Sequence, residues 1–255
     1  MCYDISYMTK RTERYAQHYN LSESDVEKAR SKHPPVYHVQ AFAHPDIPVI
    51  TNNEPNQLNF FQWGLIPFWV KDAASASNIS NRTLNARGEE MFNKPSFRDS
   101  ARRKRCLVIA DGFYEHHWHG DKSYPYFITH KSGEPISLGG LWATWHLEKE
   151  GIVRNTVSIV TTAANEMMSY IHNHPKASQK PRMPLIIPRE MESQWLEAPD
   201  DPVGHEIVRE MVKPFDDSSL QAYTVTRLRG KAYPGNVPEV CEKYDYEDAQ
   251  NRYFL

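Results

Sequence analysis

The second residue of the chain is a cysteine. A cysteine directly after the initiator is small enough to permit removal of Met1, and the residue then carries both a thiol and an α-amine. Ordinary pKa values of about 8.5 for the thiol and about 7.7 to 8.0 for the amine leave a useful minority of each in its nucleophilic form near neutrality. Such a pair suits acyl transfer, and it also suits capture of a carbonyl compound. The amine condenses to an imine and the thiol closes a five-membered thiazolidine. Cys2 is therefore the first candidate for chemistry, against the plain alternative of an incidental residue in a frayed terminus.

Four further groups could work beside it. The run Thr83-Leu-Asn-Ala-Arg-Gly-Glu89 follows an aromatic loop, Trp63-Gly-Leu-Ile-Pro-Phe-Trp69. Asn85 could orient a carbonyl or anionic oxygen and Arg87 could hold phosphate, although an Asn in a turn and an Arg on a solvated strand have the same letters. In Ala110-Asp-Gly-Phe-Tyr-Glu115 an apolar strand runs into a carboxylate flanked by aromatics. Burial there would favour the neutral carboxyl and make Glu115 a proton donor or acceptor. His172 and His174 stand where a short helix ends, ahead of Arg182-Met-Pro184. Their contiguous His-Asn-His is unrelated to the dispersed nuclease motif with those letters. The cluster Arg98, Arg102, Arg103, Lys104 and Arg105, beside Phe97, Trp63 and Trp69, has the composition of a single-strand nucleic-acid surface, or of a solvated charge run before a strand. His116, His117 and His119 suggest a metal, but strand alternation sends neighbours to opposite faces, so no metal site is expected.

These residues need a scaffold. Runs rich in β-branched and aromatic residues, among them VYHVQAFA, LNFFQWGLI, CLVIADGFYE, YPYFITH, PISLGGLWATW and VRNTVSIVTT, read as strands. Helical pattern is confined to ANEMMSYI, PREMESQWLEA, HEIVREMVK and two short helices predicted within residues 9–35, the second with Ser22 as its N-cap. The expected fold is α+β with a mainly antiparallel β core and peripheral helices. Residues 2–229 would form one domain, residues 9–35 a peripheral insert, and residues 230–255 a polar, acidic, loosely held tail.

Composition narrows the function only a little. The 255 residues are 40% hydrophobic and 24% charged, with a formal net charge of −2, so any DNA contact must come from a local patch. Three cysteines at unrelated spacings make no disulfide framework. No apolar run approaches the length of a bilayer, and the first residues lack a signal-peptide pattern, so a cytoplasmic protein is expected.

The order of the motifs is more specific than any one of them. A terminal Cys, then WGLIPFW, NAR, ADGFYE, IH and RMP resembles the SRAP family, the SOS response-associated peptidases or abasic site processing proteins, from Met1 to about Pro188. The resemblance implies a single-domain, barrel-like fold. It also implies a role in DNA damage, in which the mature cysteine captures the ring-opened aldehyde of an abasic site in single-stranded DNA as a thiazolidine crosslink. Cys2, Asn85, Glu115 and His172 would be the catalytic residues, the first three also in self-removal of Met1, with His172 assisting imine formation, crosslink reversal or a lyase step. Arg87 and Arg182 would contact phosphate, and Phe68 and Trp69, with Trp63 nearby, would stack on bases. No cofactor is implied, and a monomer is expected.

Three departures bear on this carry-over. Family members commonly begin Met-Cys-Gly-Arg with a DNA-contacting arginine, whereas this chain has Asp4, whose carboxylate would repel phosphate. The usual spacing between IH and RMP is opened by Asn173 to Pro181, so His172 is chosen over His174 by the IH pairing. The insert at 9–35 lengthens the entry to the core. Two other functions use parts of the pattern: an N-terminal cysteine peptidase or amidase acting through Cys2, Glu115 and His172, and a passive single-strand binding module that needs no cysteine.

Overall fold

The computed structural model describes residues 2–174 and 180–247. Its strands are β1 (Asp4–Tyr7), β2 (Val36–Gln40), β3 (Asp46–Thr51), β4 (Glu54–Trp63), β5 (Asn85–Arg87), β6 (Arg105–Ala110), β7 (Gly112–His119), β8 (Lys122–His130), β9 (Ile136–Leu147), β10 (Ile152–Ala163), β11 (Arg182–Pro184) and β12 (Leu220–Thr224). The α-helices are α1 (Thr12–Tyr19), α2 (Glu23–Lys32), α3 (Ala73–Ser80), α4 (Arg98–Arg103), α5 (Glu166–Ile171), α6 (Glu192–Glu197) and α7 (Pro202–Glu210).

One sheet runs β12-β8-β7-β1-β2, every neighbour antiparallel. In the other, β10, β4, β3, β6 and β9 follow in order and β9 returns to β10, which closes a barrel. The barrel is not wholly antiparallel: β4 and the three-residue β5 both run parallel to β10. The α+β class and the barrel-like, mainly antiparallel core expected from the sequence are both present. All six residues of β6 are buried, as expected of a strand covered on both faces.

The CLVIADGFYE run is two strands. Asp111 is the crossover from β6 in the barrel to β7 in the sheet, and its carboxylate accepts from the Thr9 amide (2.7 Å), the Thr9 hydroxyl (2.7 Å) and the Tyr15 hydroxyl (2.6 Å). Gly112 follows because a Cβ there would lie 2.4 Å from the Phe127 ring and 2.6 Å from the Ile128 carbonyl oxygen. Tyr15 belongs to α1 and is wholly buried, with Tyr19 and Val26 in the same core. The helical pair at 9–35 is therefore a structural support of the motif, more than a peripheral insert. Ser22 caps α2 as predicted, accepting from the Asp25 amide at 3.1 Å.

The segment after Arg229 is not loosely held over its described part. Val240 is fully buried, Asn236 Oδ1 accepts from the Tyr37 amide at 2.7 Å, and the Tyr246 hydroxyl donates to the Val225 carbonyl at 2.8 Å. Tyrosines, a valine and an asparagine spread among charges dock the segment although its average composition is polar.

Candidate active site

The site forms where the start of β1 meets the end of β10. β1 lies between β2 and β7, with Asp4 opposite Tyr114, so Cys2 and Tyr3 run on beside Glu115 and His116. The Ala41 amide donates to the Tyr3 carbonyl at 2.8 Å and fixes the chain before the strand proper. Cys2 is buried, at 1% exposure. That burial pushes its thiol well above the ordinary range, the charge of Glu115 and then of Asp4 adding to the effect, while the positive N-terminus and a hydrogen bond from the Asp4 amide oppose it.

Asn85 comes to Cys2 on β5, paired with Ile159 of β10. Its Nδ2 donates to the Cys2 carbonyl at 2.9 Å, and its Oδ1 is buried with no hydrogen-bond partner among the described residues. The local sequence holds this strand tightly. The Thr83 hydroxyl donates to the Leu65 carbonyl at 2.6 Å, the Ile159 amide to the Leu84 carbonyl at 3.2 Å, and the Trp63 indole to the same Leu84 carbonyl at 2.8 Å. Gly64, at φ +116°, makes the turn that lets Trp63 point inward while the loop runs on to Phe68 and Trp69.

That turn corrects one expectation. Trp63 is wholly buried, so its ring cannot stack on a base; it braces the segment that carries Asn85. Phe68 and Trp69 are 60% and 43% exposed and remain available for stacking.

Glu115 and His172 arrive from different elements. Glu115 lies on β7 opposite Tyr126, and its Oε1 accepts from the His116 amide at 2.9 Å. His172 caps the C-terminal end of α5, with Nδ1 3.4 Å from Glu115 Oε2 and 3.0 Å from the Arg182 carbonyl oxygen. A carbonyl only accepts, so Nδ1 carries the proton in that contact and the neutral ring has its lone pair on Nε2. The β7–α5 contact is locked by His117, which stacks on Tyr170 at 4.5 Å and bonds its carbonyl through Nδ1 at 2.9 Å. His174 instead packs edge-on against Trp118, at 4.6 Å, so the geometry favours His172 beside Glu115. Residues 175–179, part of the lengthened IH-to-RMP spacing, lie outside the described residues.

The two arginines flank β10. Arg87 on β5 pairs with Thr161 and is 40% exposed, 3.6 Å from Glu90; Arg182 on β11 pairs with Ala163. Arg182 is more committed than its sequence suggested, donating to Glu89 Oε2 and to the Thr161 carbonyl, both at 2.7 Å. A phosphate there would compete with Glu89.

The basic cluster is not one surface. The Arg105 side chain is buried, donating to the carbonyls of Trp195 (2.7 Å), Ala101 and Arg102 (both 2.9 Å) and, in a short contact, Ala198. Arg103 is paired with Asp200 at 2.6 Å. The run caps α4 and anchors α6, which alternating charge and small residues could not reveal. His116 and His117 do face opposite ways: burial lowers the pKa of His116, whereas His117 bonds to α5. Among the described residues no three His, Cys, Asp or Glu side chains gather as metal ligands, and no helix is long and apolar enough to cross a membrane.

Sequence reasoning missed the neighbours of Asp4. This residue is 4% exposed; His38 Nε2 donates to its Oδ1 at 3.0 Å and Arg229 Nη2 to its Oδ2 at 3.2 Å, while the Tyr233 hydroxyl meets His38 Nδ1 at 2.8 Å. The partners lie 34 and 225 positions away, beyond any local motif.

Fold and site together define an α+β domain that gathers an amide, a carboxylate and an imidazole beside a buried cysteine at the second position. Residues 1–232 match the family model for SOS response associated peptidase (SRAP), and the chain belongs to that family. Abasic site processing protein YoqW of Bacillus subtilis is 34% identical over 198 residues, 77% of this chain and 81% of YoqW. Abasic site processing protein YMR114C of Saccharomyces cerevisiae is 30% identical over 68% of this chain and 44% of its own length. A crystal structure of a Bacteroides thetaiotaomicron protein superposes with a TM-score of 0.82 at 32% identity, over 95% of this chain and 100% of that one.

Proposed function

We propose that this chain processes abasic sites in single-stranded DNA by covalent capture on Cys2, after it has removed its own Met1. The observation that carries the reading is the convergence of Asn85 Nδ2 on the Cys2 carbonyl with the Glu115–His172 pair beside the same residue. The printed names of the relatives, abasic site processing proteins, support the substrate.

The chemistry follows from the thiol's environment. A buried thiol held protonated needs a base, and of the two carboxylates whose charge acts on it Glu115 has the larger effect, while both oxygens of Asp4 are taken by His38 and Arg229. In maturation the sulfur attacks the Met1 carbonyl carbon, the peptide nitrogen leaves as the Cys2 amine, and water hydrolyses the thioester to release methionine. In capture the amine adds to the aldehyde carbon of the opened sugar and water leaves. The sulfur then adds to the imine carbon while the thiol proton passes through Glu115 to nitrogen. Aldehyde and aminothiol thus give thiazolidine and one water, with no redox change. His172, with its lone pair on Nε2, serves the sugar hydroxyl. Phe68 and Trp69 hold flanking bases apart, Arg87 and Arg182 hold phosphate, and one chain supplies all of these groups.

The test is a denaturing gel of the mature protein mixed with single-stranded DNA bearing one abasic site. The expected result is a heat-stable shifted band, absent in Cys2→Ala and absent when intact mass shows Met1 retained. A mature wild-type protein that gives no band overturns the proposal, and hydrolysis of peptide substrates by that same protein would favour the peptidase reading.

A further inference from the structure

We propose that Arg229, held by Asp4, is a phosphate-binding residue of this chain and takes a backbone phosphate of the nucleotide next to the captured sugar. The inference rests on the reading of the site as an abasic-site trap. A cleft of about 590 Å³ runs from Glu115 and His172 to Arg227 and Arg229, past Tyr3 and Trp118. Glu115 and His172 thus share one cleft lining with two arginines. Both arginines come from the segment just after β12.

They are held differently. Arg227 donates to the Ser123 carbonyl at 2.6 Å and lies over the Tyr124 and Tyr246 rings, at 5.9 and 5.4 Å. Among the described residues Arg229 makes one contact, to Asp4, and its side chain is 58% exposed, against 5% for Asp4. One contact uses one of the five donors of the guanidinium, and the remaining fork matches a phosphate. Asp4 in turn is covered on both oxygens, Oδ1 by His38 and Oδ2 by Arg229. The carboxylate that looked repulsive is thus an anchor: it takes one donor of Arg229 and fixes where that arginine stands, leaving the rest of the guanidinium fork for phosphate.

The experiment measures non-covalent binding of undamaged oligothymidylate by fluorescence anisotropy across a salt series, together with crosslinking of abasic DNA. Arg229→Gln, at an exposed side chain, is expected to weaken binding severalfold and to flatten the plot of log affinity against log salt by about 0.7, the value for one phosphate contact on a single strand. It should also raise the DNA concentration for half-maximal crosslinking. Asp4→Asn is expected to weaken DNA binding as well, because Arg229 loses its hold.

An unchanged salt slope in Arg229→Gln overturns the proposal, and so does tighter binding in Asp4→Asn, which would mean that Asp4 merely opposes phosphate. A wild-type protein that binds oligothymidylate through Arg229 but never crosslinks overturns the capture reading alone. One that crosslinks identically with and without Arg229, at an unchanged salt slope, overturns this inference alone.

Discussion

Asn85→Ala separates folding from function most sharply. Among the described residues Asn85 makes one hydrogen bond, to the Cys2 carbonyl, and leaves Oδ1 buried and unpaired. Truncation leaves the buried Cys2 carbonyl without that donor, at a cost of about 1 to 3 kcal/mol, and opens a cavity. At about 24 cal/mol per Å³, an unfilled volume of roughly 25 to 30 Å³ costs under about 1 kcal/mol. Against this, removing a buried orphan acceptor returns about 1 to 3 kcal/mol. The terms nearly cancel, so urea unfolding should place Asn85→Ala within about 1 kcal/mol of wild type, on either side. The reaction should not be spared. Asn85 fixes the carbonyl of the residue proposed to react, and its loss is expected to slow the proposed reaction by about 10²- to 10³-fold, by analogy with the loss of one oxyanion-hole donor. Intact mass at fixed times reads Met1 removal, and a quenched denaturing gel reads crosslinking. A variant destabilised by more than 2 kcal/mol that still matures and crosslinks at the wild-type rate would refute the reasoning, because Asn85 would then be a packing residue.

The remaining predictions concern other side chains. Trp63→Ala should cost about 3 to 5 kcal/mol of stability in denaturant melts, whereas Trp69→Ala should cost little there and weaken single-strand binding by about 1 to 3 kcal/mol in anisotropy titrations. Arg105→Met removes donors to several buried carbonyls and should destabilise by more than about 3 kcal/mol, with no change in the salt slope of DNA binding; Arg102→Ala, at an exposed position, should stay within about 0.5 kcal/mol of wild type. Because burial raises the Cys2 thiol, alkylation of the native protein by iodoacetamide should keep rising through pH 9 where a free cysteine peptide is approaching its plateau, read by peptide mass. Because burial lowers the pKa of His116, the unfolded chain takes up its proton first. The associated stability is therefore intact above about pH 6.5 and lost as pH falls below it, and His116→Gln should flatten that part of the melting-temperature profile.

What could be read from the sequence was whatever is encoded in short windows. Strand and helix runs carry their own periodicity, so the α+β class, the capped helix at Ser22 and the helices near 166–171 and 202–210 were legible. The ordered motifs gave Cys2, Asn85, Glu115 and His172, and the geometry brings those side chains to one place. Long-range partners were not legible. Trp63 and Trp69 sit six residues apart in one aromatic loop, and only the turn at Gly64 makes the first a brace and the second a surface. Arg105 and Arg102 have similar letters and opposite burial because the carbonyls that Arg105 needs come from α4 and from the α6 region some ninety residues on. The same holds for Arg182, whose partner Glu89 lies 93 positions away.

A reactive group at the second residue poses a mechanical problem, since chain ends fray unless they are tied down. Here the tie is unusually thorough. β1 has four residues but is paired on both sides, by β2 and by β7, and all four are buried. Tyr3 is fixed from Ala41, Asp4 from His38 and Arg229, and the Cys2 carbonyl from Asn85. Those partners come from three separate stretches, including the segment after β12. The order of the Cys2 backbone is thus coupled to the whole domain, and the last docked part of the chain contributes to holding the first. On the proposed reading, removal of Met1 would expose an amine on a backbone whose direction is already set, which would save the reaction the entropy of ordering a free terminus. Truncation after Leu228, which removes Arg229, Tyr233 and Asn236 together, should therefore slow crosslinking more than Arg229→Gln alone, and equal rates for the two variants would show that the terminal strand holds its position without the tail.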